Sequence, residues 1–334
     1  MKIIDKPKLA IIIPVYNVAK YLPECLESFK RQTDKRFHVF AVNDGSTDNS
    51  LDVLQKYALC EWLTVLCKVN GGLSSARNYG LKFVPDEYKY VSFIDSDDFV
   101  SDNYVEVILT NMESTNADYL NAGFQEFDKN GFKLQLAPDE RKILKHPLYR
   151  YFTFNTPRNV CDTWFCGTRV LSFNLIKHYS FNESLKSAED LDFFIKVLPK
   201  VERGLQIPNI IYFYRLRKGS LSRNLSQINS DTCVCFTQLN IDDFPVDIKC
   251  NINDQRIKFE LAHLRDDLCK GLNKNQFYER KIFIESLLPN TVKGRIKFKL
   301  QTLKLGYGFN YLLSLMGNLN KKRRQTKKMD DYFD

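Results

Sequence analysis

Short apolar runs alternate with helix-spaced stretches over the first hundred residues. Leu9–Val15 carries no polar side chain, the pattern of a strand covered on both faces. Over residues 19–32, Tyr21, Leu22, Cys25, Leu26 and Phe29 recur at three- and four-residue steps and predict a helix. Residues 37–42, 63–66 and 90–94 read as further strands, rich in aromatic and β-branched side chains. Helices are predicted over 51–57 and 74–83, the first capped by Ser46 or Thr47. This β-α-β-α rhythm predicts an α/β fold: a doubly wound, mostly parallel sheet flanked by helices.

The texture changes after residue 105. Residues 118–124 form a predicted strand and 127–136 a hairpin turning over Asp128, Lys129, Asn130 and Gly131. A strand is expected over 163–169, and a helix over 187–198 with Leu191, Phe194, Ile195 and Leu198 on one stripe. A last strand is expected over 210–217. Residues 146–160 are rich in aromatics, and Trp164 either stacks on a ligand or fills the core. Phe259, Leu261, Leu264, Leu268 and Leu272 then suit a helix packed on the body. Three regions follow: a main α/β domain over 1–220, a helical extension over 221–290 and a basic tail over 291–334.

Composition narrows the class. The 334 residues are 44% hydrophobic and 27% charged, an ordinary globular balance. No window supplies the roughly 20 apolar residues of a membrane span, and no signal peptide is read. Nine scattered cysteines without a Cys-x-x-Cys pair read as reduced thiols of a cytoplasmic protein. The net charge of +9 sits at one end. Residues 286–329 hold eleven Lys and Arg and no acid, whereas 1–285 hold 38 basic and 37 acidic residues. In the tail, Phe298, Leu305, Phe309, Leu312, Met316 and Leu319 fall along one helix face. On charge alone the partner is a nucleic acid or an anionic membrane surface. The competing reading packs the stripe on the body or on a second subunit, as in a homodimer.

The candidate chemistry centres on Phe93-Ile94-Asp95-Ser96-Asp97-Asp98, where a predicted strand runs into three carboxylates. On an extended backbone Asp95 and Asp97 share a face, and two such oxygens suit a hard divalent cation held also by substrate phosphates. The plainer reading is an acidic loop, with Asp98 or Ser101 capping a helix from about residue 102. No Gly-x-Gly-x-x-Gly turn follows the first strand and no Gly-x-x-x-x-Gly-Lys-[Ser/Thr] occurs, so dinucleotide-binding and P-loop folds are excluded.

Four motifs in this order, IIIPVYN (11–17), VNDGSTDNS (42–50), NGGLSSARNYG (70–80) and FIDSDD (93–98), resemble the family 2 glycosyltransferases with the GT-A fold; SAEDLDFFIKVL (187–198) resembles their acceptor-side Glu-Asp motif. The resemblance covers roughly residues 8–220. It implies an inverting transferase that moves a sugar from a nucleotide sugar, a UDP-sugar above all, to a hydroxyl of a growing, lipid-linked surface glycan. In that frame Asp44 holds the base or ribose, and Pro14 and Tyr16 shape the same pocket. Gly71 admits the donor closely, and Arg77 offers its fork to phosphate or to nearby aspartates. Asp97 ligates Mg²⁺ or Mn²⁺, Asp95 contacts ribose or metal-bound water beside Ser96, and Asp190 is the general base. Arg217 and Ser220 resemble an Arg-x-Arg-x-x-Ser loop over the diphosphate. Expected partners are a nucleotide sugar, a glycan or lipid-linked glycan acceptor and an anionic membrane surface, with no nucleic acid; the expected place is the cytoplasm, at the inner face of the plasma membrane. The alternative is a catalytically inactive nucleotide-sugar-binding or scaffold protein with an anion-binding tail.

Overall fold

The structure, a computed structural model, describes residues 7–145, 147, 166–217, 225–240, 244, 246–287 and 310. The chain divides into two compact units, Met1–Arg223 and Asn224–Asp334. In the first, β1 (Leu9–Val15), α1 (Leu22–Lys30), β2 (Phe37–Asp44), α2 (Ser50–Tyr57), β3 (Leu63–Lys68), α3 (Leu73–Leu81) and β4 (Tyr90–Phe93) alternate as predicted. Then come β5 (Phe99–Val100), α4 (Tyr104–Thr115), β6 (Tyr119–Asp128), β7 (Gly131–Leu136), β8 (Lys142–Leu144), β9 (Arg169–Ser172), the single turn α5 (Phe173–Ile176), α6 (Glu189–Val197) and β10 (Gly204–Arg215).

The ten strands of the described residues form one sheet in the order β3-β2-β1-β4-β9-β6-β10-β5, with β7 on β6 and β8 on β10. β1 lies between β2 and β4, parallel to both, and β2 is parallel to β3. Beyond β4 the pairing is mixed: β9 runs antiparallel to β4 and β6, and β10 is parallel to β6 but antiparallel to β5 and β8. The expected α/β sheet is present, parallel in its first half and mixed in its second.

β1 is buried along its whole length, which is why its sequence is unbroken apolar. Ile11 and Ile13 join Leu22, Leu26 and Phe29 of α1 and Ile108 of α4 in one core. Ile12 faces the other way, onto α3. Gly80 makes that contact possible: a Cβ there would lie 2.7 Å from Ile12 Cγ2 and 3.2 Å from Val42 Cγ2. Pro14 sits in the middle of a central strand, where a missing N–H would normally break the ladder. The ladder to β4 has already ended, at Ile12↔Phe93, with a last bond from Ile94 N–H to the Ile12 carbonyl (3.0 Å). Pro14 points its nitrogen to that same side, past the end of β4, so no bond is lost.

Three sequence expectations shift. Residues 166–168 are not strand but a 3-10 turn, Cys166–Thr168, and the strand begins at Arg169. β10 starts six residues before the expected 210, because Gln206 and Pro208 interrupt its pattern; the register shifts between Gln206 and Ile210 absorb the proline. Neither Ser46 nor Thr47 caps α2, whose N-cap is Asn49, and neither Asp98 nor Ser101 caps α4, whose N-cap is Asn103.

The second unit holds α7 (Leu225–Thr237), α8 (Val246–Cys269) and α9 (Lys274–Ser286). Ile257, Leu264 and Leu268 of α8 pack with Phe277 and Ile284 of α9, with Leu261 and Leu272 at the margin. Asn273 starts α9 with a capping box, accepting from Gln276 N–H while the Gln276 side chain accepts from Asn273 N–H. Among the described residues no helix is long and apolar enough to cross a membrane. Trp164, Ser220, residues 148–160 and the tail over 291–334, apart from Asn310, lie outside the described residues.

Candidate active site

Between β1 and β4 the winding of the sheet reverses direction, and ligands of such sheets sit outside the carboxyl ends of the strands at that point. β1 delivers Tyr16 there, half exposed at 48%; β2 delivers Asp44 and β4 the segment Asp95 to Asp98. The first two motifs are zipped together beneath. Asn17, in left-handed backbone (φ 53°), accepts from Thr47 N–H (2.8 Å), while Val18 N–H donates to Ser50 Oγ (2.9 Å) and Ala19 N–H to Asp48 Oδ2 (3.0 Å). Asn17, Asp48 and Ser50 therefore set the geometry of the two loops, a role visible in sequence only as two polar clusters thirty residues apart.

Asp44 ends β2 as expected and is 2% exposed. Its carboxylate is turned inward. Oδ1 accepts from Lys68 Nζ (2.6 Å) and Gly71 N–H (3.0 Å), and Oδ2 from Gly72 N–H (2.8 Å). Gly71 thus brings its backbone to Asp44, and the aspartate anchors the glycine loop ahead of α3.

Residues 95–98 are not extended. β4 stops at Phe93, and Asp98 N–H donates to the Asp95 carbonyl (3.1 Å), closing a turn, so the same-face expectation for Asp95 and Asp97 fails. The turn separates their partners instead. Asp95 Oδ1 accepts from Arg77 Nη2 (3.0 Å), and Asp97 Oδ2 accepts from Arg217 Nε. Ser96 between them is buried. Asp98 is buried too: its Oδ2 accepts from the Tyr212 hydroxyl and its Oδ1 from Arg215 N–H (2.7 Å). Burial pushes the Asp98 carboxyl well up, and the charges of Asp97 and Asp95 push it further. Burial also raises Asp95; Arg77 opposes that rise and the charge of Asp97 adds to it.

Of the two partners expected for Arg77, phosphate or nearby aspartates, the structure shows the aspartates. Arg77 is 1% exposed, and both its terminal nitrogens are spent on carboxylates rather than left for phosphate. Nη1 donates to Asp190 Oδ1 (2.6 Å) and Glu189 Oε1 (3.0 Å), Nη2 to Asp95, and the guanidinium lies 5.2 Å from the Phe181 ring centroid. One buried cation joins the β4 loop to the first turn of α6. Ala188 precedes that turn in left-handed backbone (φ 56°) and has no capping side chain, leaving the acids at the helix start. Burial raises the Glu189 carboxyl, with the charge of Asp190 adding and Arg77 opposing. Asp190 is 7% exposed; besides Arg77 it accepts from Cys166 N–H (2.8 Å at Oδ2) and the Cys166 thiol (3.1 Å at Oδ1).

The structure thus joins Asp95, Arg77 and Asp190 in one network and puts Arg217 on Asp97. Sequence reasoning missed Cys166, Tyr212, Arg215 and Lys68. Arg215 carried the one usable signal, as the first arginine of the expected Arg-x-Arg-x-x-Ser loop.

The profile of the family described as "Glycosyl transferase family 2" matches residues 10–184. An uncharacterized glycosyltransferase, EpsJ, of Bacillus subtilis is 29% identical over 229 residues, covering 65% of this chain and 63% of that protein. The glycosyltransferase GlyA of Streptococcus pneumoniae is 31% identical over 228 residues, 65% of this chain but 32% of that protein. The chain therefore spans about two thirds of one of these relatives and a third of the other. Among solved structures, S. aureus TarS 1–349 in complex with UDP-GlcNAc superposes with a TM-score of 0.67 at 20% identity, covering 94% of this chain and 92% of that one. The mannosyltransferase PcManGT from Pyrobaculum calidifontis, in complex with GDP-Man and Mn²⁺, gives 0.54 at 13% identity, covering 94% and 87%. The shared architecture is the GT-A fold. With a profile match over more than half its length, on the motifs that line this sheet edge, the chain belongs to glycosyl transferase family 2.

Proposed function

We propose that the chain is an inverting glycosyltransferase that moves a hexose-type sugar from a UDP-sugar to a hydroxyl of a growing, lipid-linked surface glycan. The observation that carries this reading is the Arg77 bridge, which ties a carboxylate of the β4 loop to the acid pair at the start of α6. Two chemistries of one reaction, donor binding and proton removal, would then share a rigid frame. Solved complexes of TarS with UDP-GlcNAc and with UDP support a uridine nucleotide. Polysaccharide-related relatives, such as the minor teichoic acid biosynthesis protein GgaB of Bacillus subtilis, support a surface glycan as the acceptor.

In this reading Tyr16 lies beside the base over a floor shaped by Pro14, and Asp44 acts through the loop of Gly71 and Gly72. Arg217, with Ser220, meets the diphosphate. Asp190 takes the proton of the acceptor hydroxyl as that oxygen bonds to the anomeric carbon and the bond to the diphosphate breaks. The donor set at the β4 loop fits a divalent cation: Asp95 and Asp97 offer only oxygen, keep 30% and 17% of their side-chain surface, and crowd like charges that a cation would offset. Asp98 does not fit, being consumed by Tyr212 and Arg215. Mg²⁺ or Mn²⁺ held there would offset the charge growing on the departing nucleotide.

A panel of UDP-glucose, UDP-galactose, UDP-GlcNAc and UDP-GalNAc, read by thermal shift and by UDP release with Mn²⁺ or with chelator, tests the reading. One donor should stabilise the protein and turn over with metal only, and Asp97→Asn should lose that binding. Asp190→Asn should keep donor affinity while turnover falls by about 10²–10⁴ fold. Equal UDP affinity with metal and with chelator would remove the metal assignment.

A further inference from the structure

Asp190 is held from three directions, and the three donors divide unevenly between its oxygens. Oδ1 accepts from Arg77 Nη1 at 2.6 Å and from the Cys166 thiol at 3.1 Å. Among the described residues, Oδ2 accepts from Cys166 N–H only, at 2.8 Å. A carboxylate oxygen offers two lone pairs, so Oδ1 is full and Oδ2 keeps one free. A thiol is a weak donor, and Cys166 stays an intact S–H here: burial pushes its ionisation well up, and the charge of Asp190 pushes it further.

The backbone around Cys166 is fixed on its other side. Gly167 packs flat against the Tyr212 ring, where any Cβ would collide, and Tyr212 donates its hydroxyl to Asp98 beside the donor-side carboxylates. Thr168 adds a bond from Oγ1 to Asn121 Oδ1 (3.2 Å). The turn is therefore wedged between the α6 acid and the β4 loop. Its three residues are buried, Cys166 and Thr168 to 1%, and a group held so tightly keeps its angle to Asp190 without extra entropy cost.

We propose that Cys166 is a positioning residue for glycosyl transfer: its thiol closes the second lone pair of Asp190 Oδ1 and so directs the acceptor proton to Oδ2. The inference rests on Asp190 being the base. In the step it serves, the acceptor O–H proton passes to Oδ2, the acceptor oxygen bonds to the anomeric carbon, and the electron pair of the broken bond leaves on the nucleotide diphosphate. Without the thiol, Oδ1 regains an open lone pair while Arg77 and Cys166 N–H still hold the carboxylate. Both oxygens can then take the acceptor proton, and the productive direction to Oδ2 is no longer singled out.

The test compares Cys166→Ala, Cys166→Val and Cys166→Ser with wild type, using the donor of the UDP-sugar panel that turns over fastest. Ala and Val keep the backbone N–H and lose the side-chain donor, Ala on the smaller side of Cys and Val on the larger; Ser keeps a donor. Ala and Val are expected to lower kcat by about 3–10 fold with the donor KM within about twofold, and Ser to return kcat to within about twofold of wild type. A merely structural cysteine would instead be replaced no better by Ser than by Ala, which is close to it in volume. Wild-type kcat in both Ala and Val, or Ser as slow as Val, overturns the proposal. Asp190→Asn run in parallel separates the two ideas. If it keeps turnover, the base assignment falls and the thiol's role falls with it; if it loses turnover while Cys166→Ala does not, only the thiol's role falls.

Discussion

Replacing Arg77 by Met keeps an unbranched, flexible side chain and removes the charged fork, which isolates what the guanidinium does. Its side chain is 2% exposed, and those of Asp190 and Glu189 are 10% and 13% exposed. The variant would leave two carboxylates buried without their cation, and a third, on Asp95, more open at 30%. Removing one partner of a buried ion pair costs about 3–5 kcal/mol, because the surviving charge has lost water and gained nothing. The contact to Asp95 adds less, being better solvated. For a unit of this size that loss lowers the melting temperature by roughly 6–20 °C. The loss should also depend on pH, and its sign is fixed. Burial already raises the Glu189 carboxyl and Arg77 opposes the rise, so without Arg77 it climbs further. An acid whose folded pKa lies above its unfolded value destabilises the fold where it is charged, and the penalty fades as pH falls and the proton goes on. Urea denaturation at pH 8 and pH 5 therefore should show the larger deficit at pH 8. A deficit below about 1 kcal/mol at pH 8, or the same deficit at both, would refute the hub assigned to Arg77.

Gly80→Ala should destabilise by about 1–3 kcal/mol, since the new methyl meets Ile12 at 2.7 Å on a rigid strand; a melting temperature equal to wild type would mean that α3 can lift away freely. Asp34 is held below the usual carboxylate range: burial acts to raise it, but hydrogen bonds from Arg36 outweigh that, and Glu113 is lowered likewise by Lys8 and Arg36. Their contribution is present above the ordinary carboxylate pKa of about 4 and is lost as pH falls below it, so Asp34→Asn should flatten the acid limb of a stability–pH curve. The basic tail should draw the protein onto anionic but not neutral liposomes at low salt, at about 1 kcal/mol per basic residue near the surface. Equal flotation by full-length protein and a version ending at Pro289 would reject that role.

The first half of the sheet was legible because each element announces itself locally. A buried central strand is all apolar and a flanking helix repeats every three to four residues, so β1 to β4 and α1 to α3 needed no knowledge of their neighbours. Positions of the carboxylates were legible for the same reason, as strand ends. Their partners were not. Arg77 is expected on phosphate or nearby aspartates, but nothing local marks the acids 112 and 113 positions later that fold onto it, and Cys166 looks like one more β-rich residue until Gly167 meets Tyr212. The start of β10 was hidden by Pro208, which sits where the register slips. Side-chain charge tells which groups must find partners, but sequence spacing does not say which ones they find.

The late arrival of β10 has a consequence for how the molecule is made. A chain emerging from the ribosome has β1 to β4 and the carboxylates of residues 95–98 after fewer than a hundred residues, yet Tyr212, Arg215 and Arg217 follow more than a hundred residues later. Until β10 pairs β6 and β5, Asp97 lacks its guanidinium from Arg217, and Asp98 lacks the Tyr212 hydroxyl and the Arg215 N–H. Such distant closure is slow relative to the local folding of the first half. The nascent chain would therefore pass through a stage with a formed nucleotide-side sheet and a repelling, unclosed acidic loop. Catalytic competence would come only with the last strand, so that a truncated or stalled product could not spend donor.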